Sequence, residues 1–167
     1  LEKLTDNRFI RRSDKTFGSE RYFVFHHDVI REVVYETIPE DNRKVMHKTA
    51  GEAIENIFHS RIEQYYYVLC EHFEKGGAEE KLIDYLEKAG DRARESFENE
   101  RAIGYYEKIL NSANLLNTRK YFDIFLKKFQ IYKVQSDWKK AIEDYNTLNL
   151  EKSFTADKFN LHKFKLI

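Results

Sequence analysis

From Asp28 onward, apolar residues recur with a helical period. Val29, Ile30, Val33, Val34 and Ile38 fall on one broad face. Pro39 ends that helix and opens the next, because its missing N–H costs nothing at a first helical position. Over residues 43–58, Val45, Met46, Ala50, Ala53, Ile54 and Phe58 share one side and predict a second helix. Tyr65, Tyr66, Leu69, Cys70 and Phe73 predict a third over residues 62–73, stopped by Gly76 and Gly77. Phe122, Phe125, Leu126, Phe129 and Tyr132 mark a long helix over 119–134, with Ser136 and Asp137 as turn and N-cap before Trp138. Residues 149–154 interrupt the next pattern, and 154–167 read as one more helix with no partner. Only the start of the chain departs from this period. Residues 8–12 and 21–26 are short aromatic and β-branched runs around the turn-rich stretch 13–20, a hairpin signal with an unusually long loop. The expected fold is therefore mainly α, with a short N-terminal β-hairpin.

Within the helical part the sequence repeats weakly. Residues 81–88, 101–108 and 140–145 align, with Leu82, Ala102 and Ala141 in register at separations of 20 and then 39 residues. The second spacing is near the length of a two-helix unit, about 34 residues in tetratricopeptide arrays and ~40 in related repeats. In each unit a small or aliphatic residue precedes Ile, and an aromatic follows one turn later. The small residue lets a neighbouring helix approach and the aromatic fills the groove beside it. Tyr85, Tyr105, Tyr106 and Tyr145 supply the aromatics, and Ala89, Gly90 and Ala93 form another close-contact site. The fold expected from these units is an irregular α-α superhelix.

Composition narrows the function classes. One proline and six glycines in 167 residues favour long helices with short connections. The 29 basic residues balance the 29 acidic ones, which removes the cationic excess that a bulk nucleic-acid or membrane surface needs. Cys70 is the sole cysteine and is expected to be a buried thiol. No apolar run approaches the ~18 residues of a membrane span, so a cytoplasmic setting is expected.

Two stretches resemble known families. Residues 23–38 (Phe-Val-Phe-His-His-Asp-Val-Ile-Arg-Glu-Val-Val-Tyr-Glu-Thr-Ile) resemble the end of the winged-helix domain in STAND-type signalling ATPases. There a strand ending in His-Asp feeds a helix of the form apolar-Ile-Arg-Glu-x-x-Tyr. Glu71-His72-Phe73, Gly77, residues 85–90, Ala93 and residues 102–106 are similar to the tetratricopeptide-like helices that follow the ATPase core in such proteins. The likeness is closest to the bacterial group joined to class III adenylate or guanylate cyclases. It covers residues 20 to 110 well, is looser over 118–150 and is weak beyond. It implies that residues 1–40 are the C-terminal part of a winged helix and 41–167 a tetratricopeptide-like region, both cut from a larger protein. No Gly-x-x-x-x-Gly-Lys-Ser/Thr loop is present, so ATP or ADP would be held by parts outside this chain.

Candidate chemistry is sparse. The resemblance gives His27 and Asp28 a nucleotide-sensing role, the imidazole donating to an ADP phosphate. The plainer reading makes Asp28 the N-cap of a helix from Val29. The six histidines show no i, i+4 pairing, and His26 and His27 are expected to point oppositely on a strand, so no metal site is expected. Tyr65, Tyr66 and Tyr67 span about 200° of a helix and cannot all face one core. Either both sides pack in a layered array, or Tyr65 or Tyr67 is left partly exposed as a partner-binding position. No catalytic constellation stands out. The expected function is a non-catalytic, regulatory protein-interaction segment that couples nucleotide state or partner binding to an output domain, with self-association through residues 154–167. The alternative is a DNA-binding regulator using the winged-helix remnant and the basic tail of Lys152, Lys158, Lys163 and Lys165.

Overall fold

The computed structural model describes residues 2–17, 20–112, 116 and 118–151. The described chain is mainly helical: α1 (Glu2–Asp6), strands β1 (Ile10–Phe17) and β2 (Glu20–Phe25), then α2 (Asp28–Thr37), α3 (Glu40–Ile57), a 3-10 segment (His59–Tyr65), α4 (Tyr66–Lys75), α5 (Glu79–Glu95), α6 (Asn99–Asn111), α7 (Thr118–Gln135) and α8 (Trp138–Glu151). It divides into two compact units, residues 1–115 and 116–167. The hairpin, α2 and the helices through α6 belong to the first.

The hairpin is longer than its apolar pattern suggests. β1 and β2 pair antiparallel, Ile10 opposite Phe25 and Phe17 opposite Glu20, with a register shift between Arg12 and Thr16. The turn-rich stretch is thus mostly strand. Backbone pairing needs no apolar side chains, and a shift absorbs the polar insertion. α2 follows directly. His27, not Asp28, occupies its N-cap, with an extended backbone and no side-chain cap bond. Asp28 is instead the first helical residue, its carboxylate 3.8 Å from Arg31.

The apolar face of α2 is only partly covered: Ile30 and Ile38 are half-buried. No residue of α2 is buried, and Val29, Val33 and Val34 are exposed. Val45 and Met46 on α3 are exposed too, so the buried side of α3 runs instead through Gly51, Ile54 and Phe58. Periodicity identifies the side that would lose water if covered; it does not supply the cover.

From α3 to α6 the packing uses glycine slots. A Cβ at Gly51 would lie 2.7 Å from the Phe73 ring, and one at Gly90 would lie 2.6 Å from the Tyr106 ring. Each missing side chain lets an aromatic from the next α-helix approach the backbone closely. Leu69, Phe73, Ala102, Tyr106 and Ile109 are fully buried around these slots. Two buried hydroxyls are satisfied there: Tyr85 donates to Glu55 at 2.8 Å and Tyr106 donates to Asp91 at 2.8 Å. Cys70 is buried as expected, and burial pushes its thiol up to about 12.

Three helix ends share one corner. After α4, Gly77 takes φ +64° and the N–H of Ala78 donates to the carbonyl of Phe73. After α5, Phe97 takes φ 60° and Glu98 donates to Ala93. After α7, Ser136 takes φ 57° and Asp137 donates to Tyr132. In all three the next helix starts at once, with Leu82, Ala102 and Ala141 donating back to Ala78, Glu98 and Asp137. Each of the three corners is thus a left-handed stop followed by an immediate restart. Asp137 also caps α8, accepting from the Lys140 N–H at 3.2 Å.

In the second unit α7 contacts α8, and Phe122, Ile124, Phe125, Ile131 and Ala141 are buried. Lys128 is buried between them, 2.7 Å from Asp144 and over the Tyr132 ring. α8 continues to Glu151, past the interruption expected at Asn149, because no proline or glycine breaks it there. The helix expected over 154–167 and the basic tail lie outside the described residues.

Candidate functional site

A concavity of the first unit lies where α4 begins, α5 ends and α6 begins. The corner at Phe97 turns the chain there, and the 3-10 segment before α4 closes one side. The groove has a volume of about 280 Å³ and is lined by Tyr66, Tyr67, Ala89, Arg92, Ala93 and Tyr105 among others. A second cleft of about 210 Å³ shares Glu63, Tyr66 and Arg92 with it. Ala89 and Ala93 make the floor. Their small side chains leave space that larger residues on α5 would fill.

The walls are aromatic and charged. Tyr67 is 60% exposed, whereas Tyr65 stacks on Phe58 with ring centroids 4.1 Å apart. The three consecutive tyrosines therefore divide: Tyr65 packs locally, Tyr66 leans on Tyr85, and Tyr67 faces out. Arg101 is engaged by Glu98 and Tyr105, which raise its already high pKa. Arg92 and Glu63 have no ion pair among the described residues. Phe97 sits between Ser96 and Glu98, which both line the groove, and it is 84% exposed. A large aromatic in the left-handed region, held out in water, is unfavourable on two counts.

The remaining sequence-predicted positions separate cleanly. Tyr85, Ala89, Gly90, Ala93, Ala102, Tyr106 and Ala141 are buried, Leu82, Tyr105 and Tyr145 are half-buried, and Trp138 is exposed. Of the tyrosines chosen for packing, only Tyr105 also lines the groove. His27 and Asp28 are exposed at the start of α2. His26 and His27 do not point oppositely; both lie beyond β2, and their rings stack at 5.3 Å.

Sequence reading missed one cluster. Tyr35, His47 and His72 come from α2, α3 and α4 and meet in a hydrogen-bonded row. The two histidines are 25 residues apart on different helices, so no single-helix spacing could pair them. Arg92 was missed as well, since one arginine among 29 basic residues carries no signal in sequence.

No family model, curated protein or solved structure matches the chain. The site therefore has to be read from its own chemistry. Among the described residues no group of three or more His, Cys, Asp or Glu is placed to hold a metal. No described helix is long and apolar enough to cross a membrane. What the groove offers is stacking surface, a small-residue floor, and Arg92 and Glu63 with no ion pair among the described residues.

Proposed function

We propose that this chain is a non-catalytic interaction segment of a multidomain signalling ATPase, and that the groove of α4–α6 holds a segment of that protein's own output domain. The observation that carries the reading is the groove: three tyrosines around a small-residue floor, with Arg92, which has no ion pair among the described residues, at its side. Aromatic side chains and arginine dominate the energetics of protein interfaces because they bury large area and still satisfy polar groups. The bound segment would place an apolar side chain over Ala89 and Ala93 and a carboxylate against Arg92. The likeness of residues 20 to 110 to STAND-type ATPases supports an intramolecular partner, with ATP or ADP held in another part of the protein. His27 and Asp28, exposed at the head of α2, fit the nucleotide-sensing role that this likeness implies.

The test is regulation of the intact protein. Tyr67→Ala with Arg92→Glu should uncouple output activity from its control and leave unregulated activity unchanged. Regulation that survives both substitutions removes the groove from the mechanism. Separately, His27→Leu should weaken ADP retention; unchanged retention removes the sensing role.

A further inference from the structure

Tyr35, His47 and His72 form one hydrogen-bonded row across three helices. The Tyr35 hydroxyl lies 2.9 Å from Nε2 of His47, and Nδ1 of His47 lies 3.1 Å from Nδ1 of His72. The Tyr35 ring stands edge-on to His47, and the two imidazole centroids are 5.2 Å apart.

This geometry limits how many protons the row holds. With both imidazoles neutral, Tyr35 donates to His47 Nε2 and His47 Nδ1–H donates to His72 Nδ1. With one added proton, His72 Nδ1–H donates to His47 Nδ1, and His47 Nε2–H donates to the Tyr35 oxygen. A second added proton would put N–H groups on both Nδ1 atoms, facing each other with no acceptor between them. The row thus closes with zero or one added proton and opens with two.

Its position gives that limit a consequence. α2 buries no residue of its own. It is tied to α3 by Tyr35 and by Glu36, which accepts from Arg43 at 3.0 Å. The Arg43 guanidinium also lies over the Tyr35 ring at 5.0 Å. Beyond Tyr35 itself, the charged groups around the pair are Arg31 and Glu36 from α2, Arg43 from α3, and Glu71 and Lys75 from α4. Lys75 is already engaged by Glu71 at 2.6 Å, and Arg43 by Glu36. No carboxylate in this set is left unpaired to balance a doubly charged histidine pair.

We propose that Tyr35, His47 and His72 are a proton-operated latch that docks α2 on α3 and α4 and releases it when the pair takes a second proton. Burial holds both imidazoles below the ordinary histidine range, with Glu71 opposing. Groups that bind protons more weakly when latched favour the latched form above the free histidine value of about 6.5. That preference is lost progressively as pH falls below it. Each proton taken up on release shifts the opening equilibrium by up to about tenfold per pH unit. The latch does not depend on the groove or its occupant.

Hydrogen exchange tests it on the chain as it stands. Amides of α2, corrected for intrinsic rates, should lose protection relative to those of α5 by roughly tenfold per pH unit between 6.5 and 5.5. His72→Gln, which keeps a hydrogen-bonding side chain without a titratable one, should abolish that pH response and leave α5 protected. Parallel loss in α2 and α5, or an acid response that persists in His72→Gln, overturns the latch. Should His72→Gln also strip protection from α5, His47→Gln makes the same test. Imidazole titration of the wild-type chain by NMR then decides independently. Two separated steps, the second below the ordinary range, support the latch, and two independent ordinary histidines refute it.

Discussion

Replacing Gly90 with alanine measures how closely α5 and α6 pack. An alanine Cβ would lie 2.6 Å from Cε1 and 3.0 Å from Cδ1 of Tyr106, well inside van der Waals contact. Tyr106 has little room to yield: it is fully buried, and its hydroxyl is fixed to Asp91 at 2.8 Å. Intrinsic helix propensity favours the alanine by about 1 kcal/mol. Forcing a methyl into a packed core costs about 1–3 kcal/mol. Displacing the ring far enough to break its hydrogen bond adds about 1 kcal/mol. The sum is a net destabilisation of about 1–3 kcal/mol, or a Tm fall of roughly 2–4 °C for each kcal/mol in a chain of this size. Urea unfolding followed by far-ultraviolet circular dichroism, with m-values compared, reads this directly. Gly90→Ala combined with Tyr106→Leu should recover part of the loss by removing the obstructing ring edge. A single Gly90→Ala that is neutral, or more stable by the propensity gain, would refute the glycine slot.

Other outcomes follow from the same geometry. Phe97→Gly should stabilise the chain by about 1 kcal/mol, since glycine takes φ 60° without the Cβ penalty; Phe97→Ala keeps that penalty and should change little in the same urea experiment. Asp144→Asn removes the carboxylate charge 2.7 Å from buried Lys128 and should destabilise the chain more than Lys128→Met does in the same measurement. Cys70 should resist a thiol reagent at pH 8 in the folded chain and react at once in denaturant, because burial holds its thiol near 12.

The helices were legible because their apolar positions recur at the helical period and their stops are chemical: Pro39, Gly76–Gly77 and Asp137. The corner at Phe97 was not legible as a stop, since nothing in the residue type announces a left-handed phenylalanine. Neither was the division of the aromatic triplet. Periodicity required that the three tyrosines diverge, but the 3-10 segment before Tyr66, kinked at Arg61, decides that Tyr65 returns to Phe58 while Tyr67 faces out. The face of α2 shows the opposite limit. Its valines fall on one broad face, as the period requires, yet they stand exposed. The candidate site was half visible: Tyr67 and Tyr105 could be chosen as aromatics, while Arg92 gained meaning only when the turn at Phe97 brought α4, α5 and α6 to one mouth. The His47–His72 contact was invisible for the same reason, being made by tertiary packing of two helices.

The proposed interface is the groove where α4 and α6 begin and α5 ends, occupied in the intact protein. A photo-crosslinking amino acid in place of Tyr67 tests it most directly. A single crosslink from that position into the output domain proposed above, lost when Arg92→Glu is added, is the expected result. Crosslinks absent at Tyr67, or unchanged by Arg92→Glu, would contradict it.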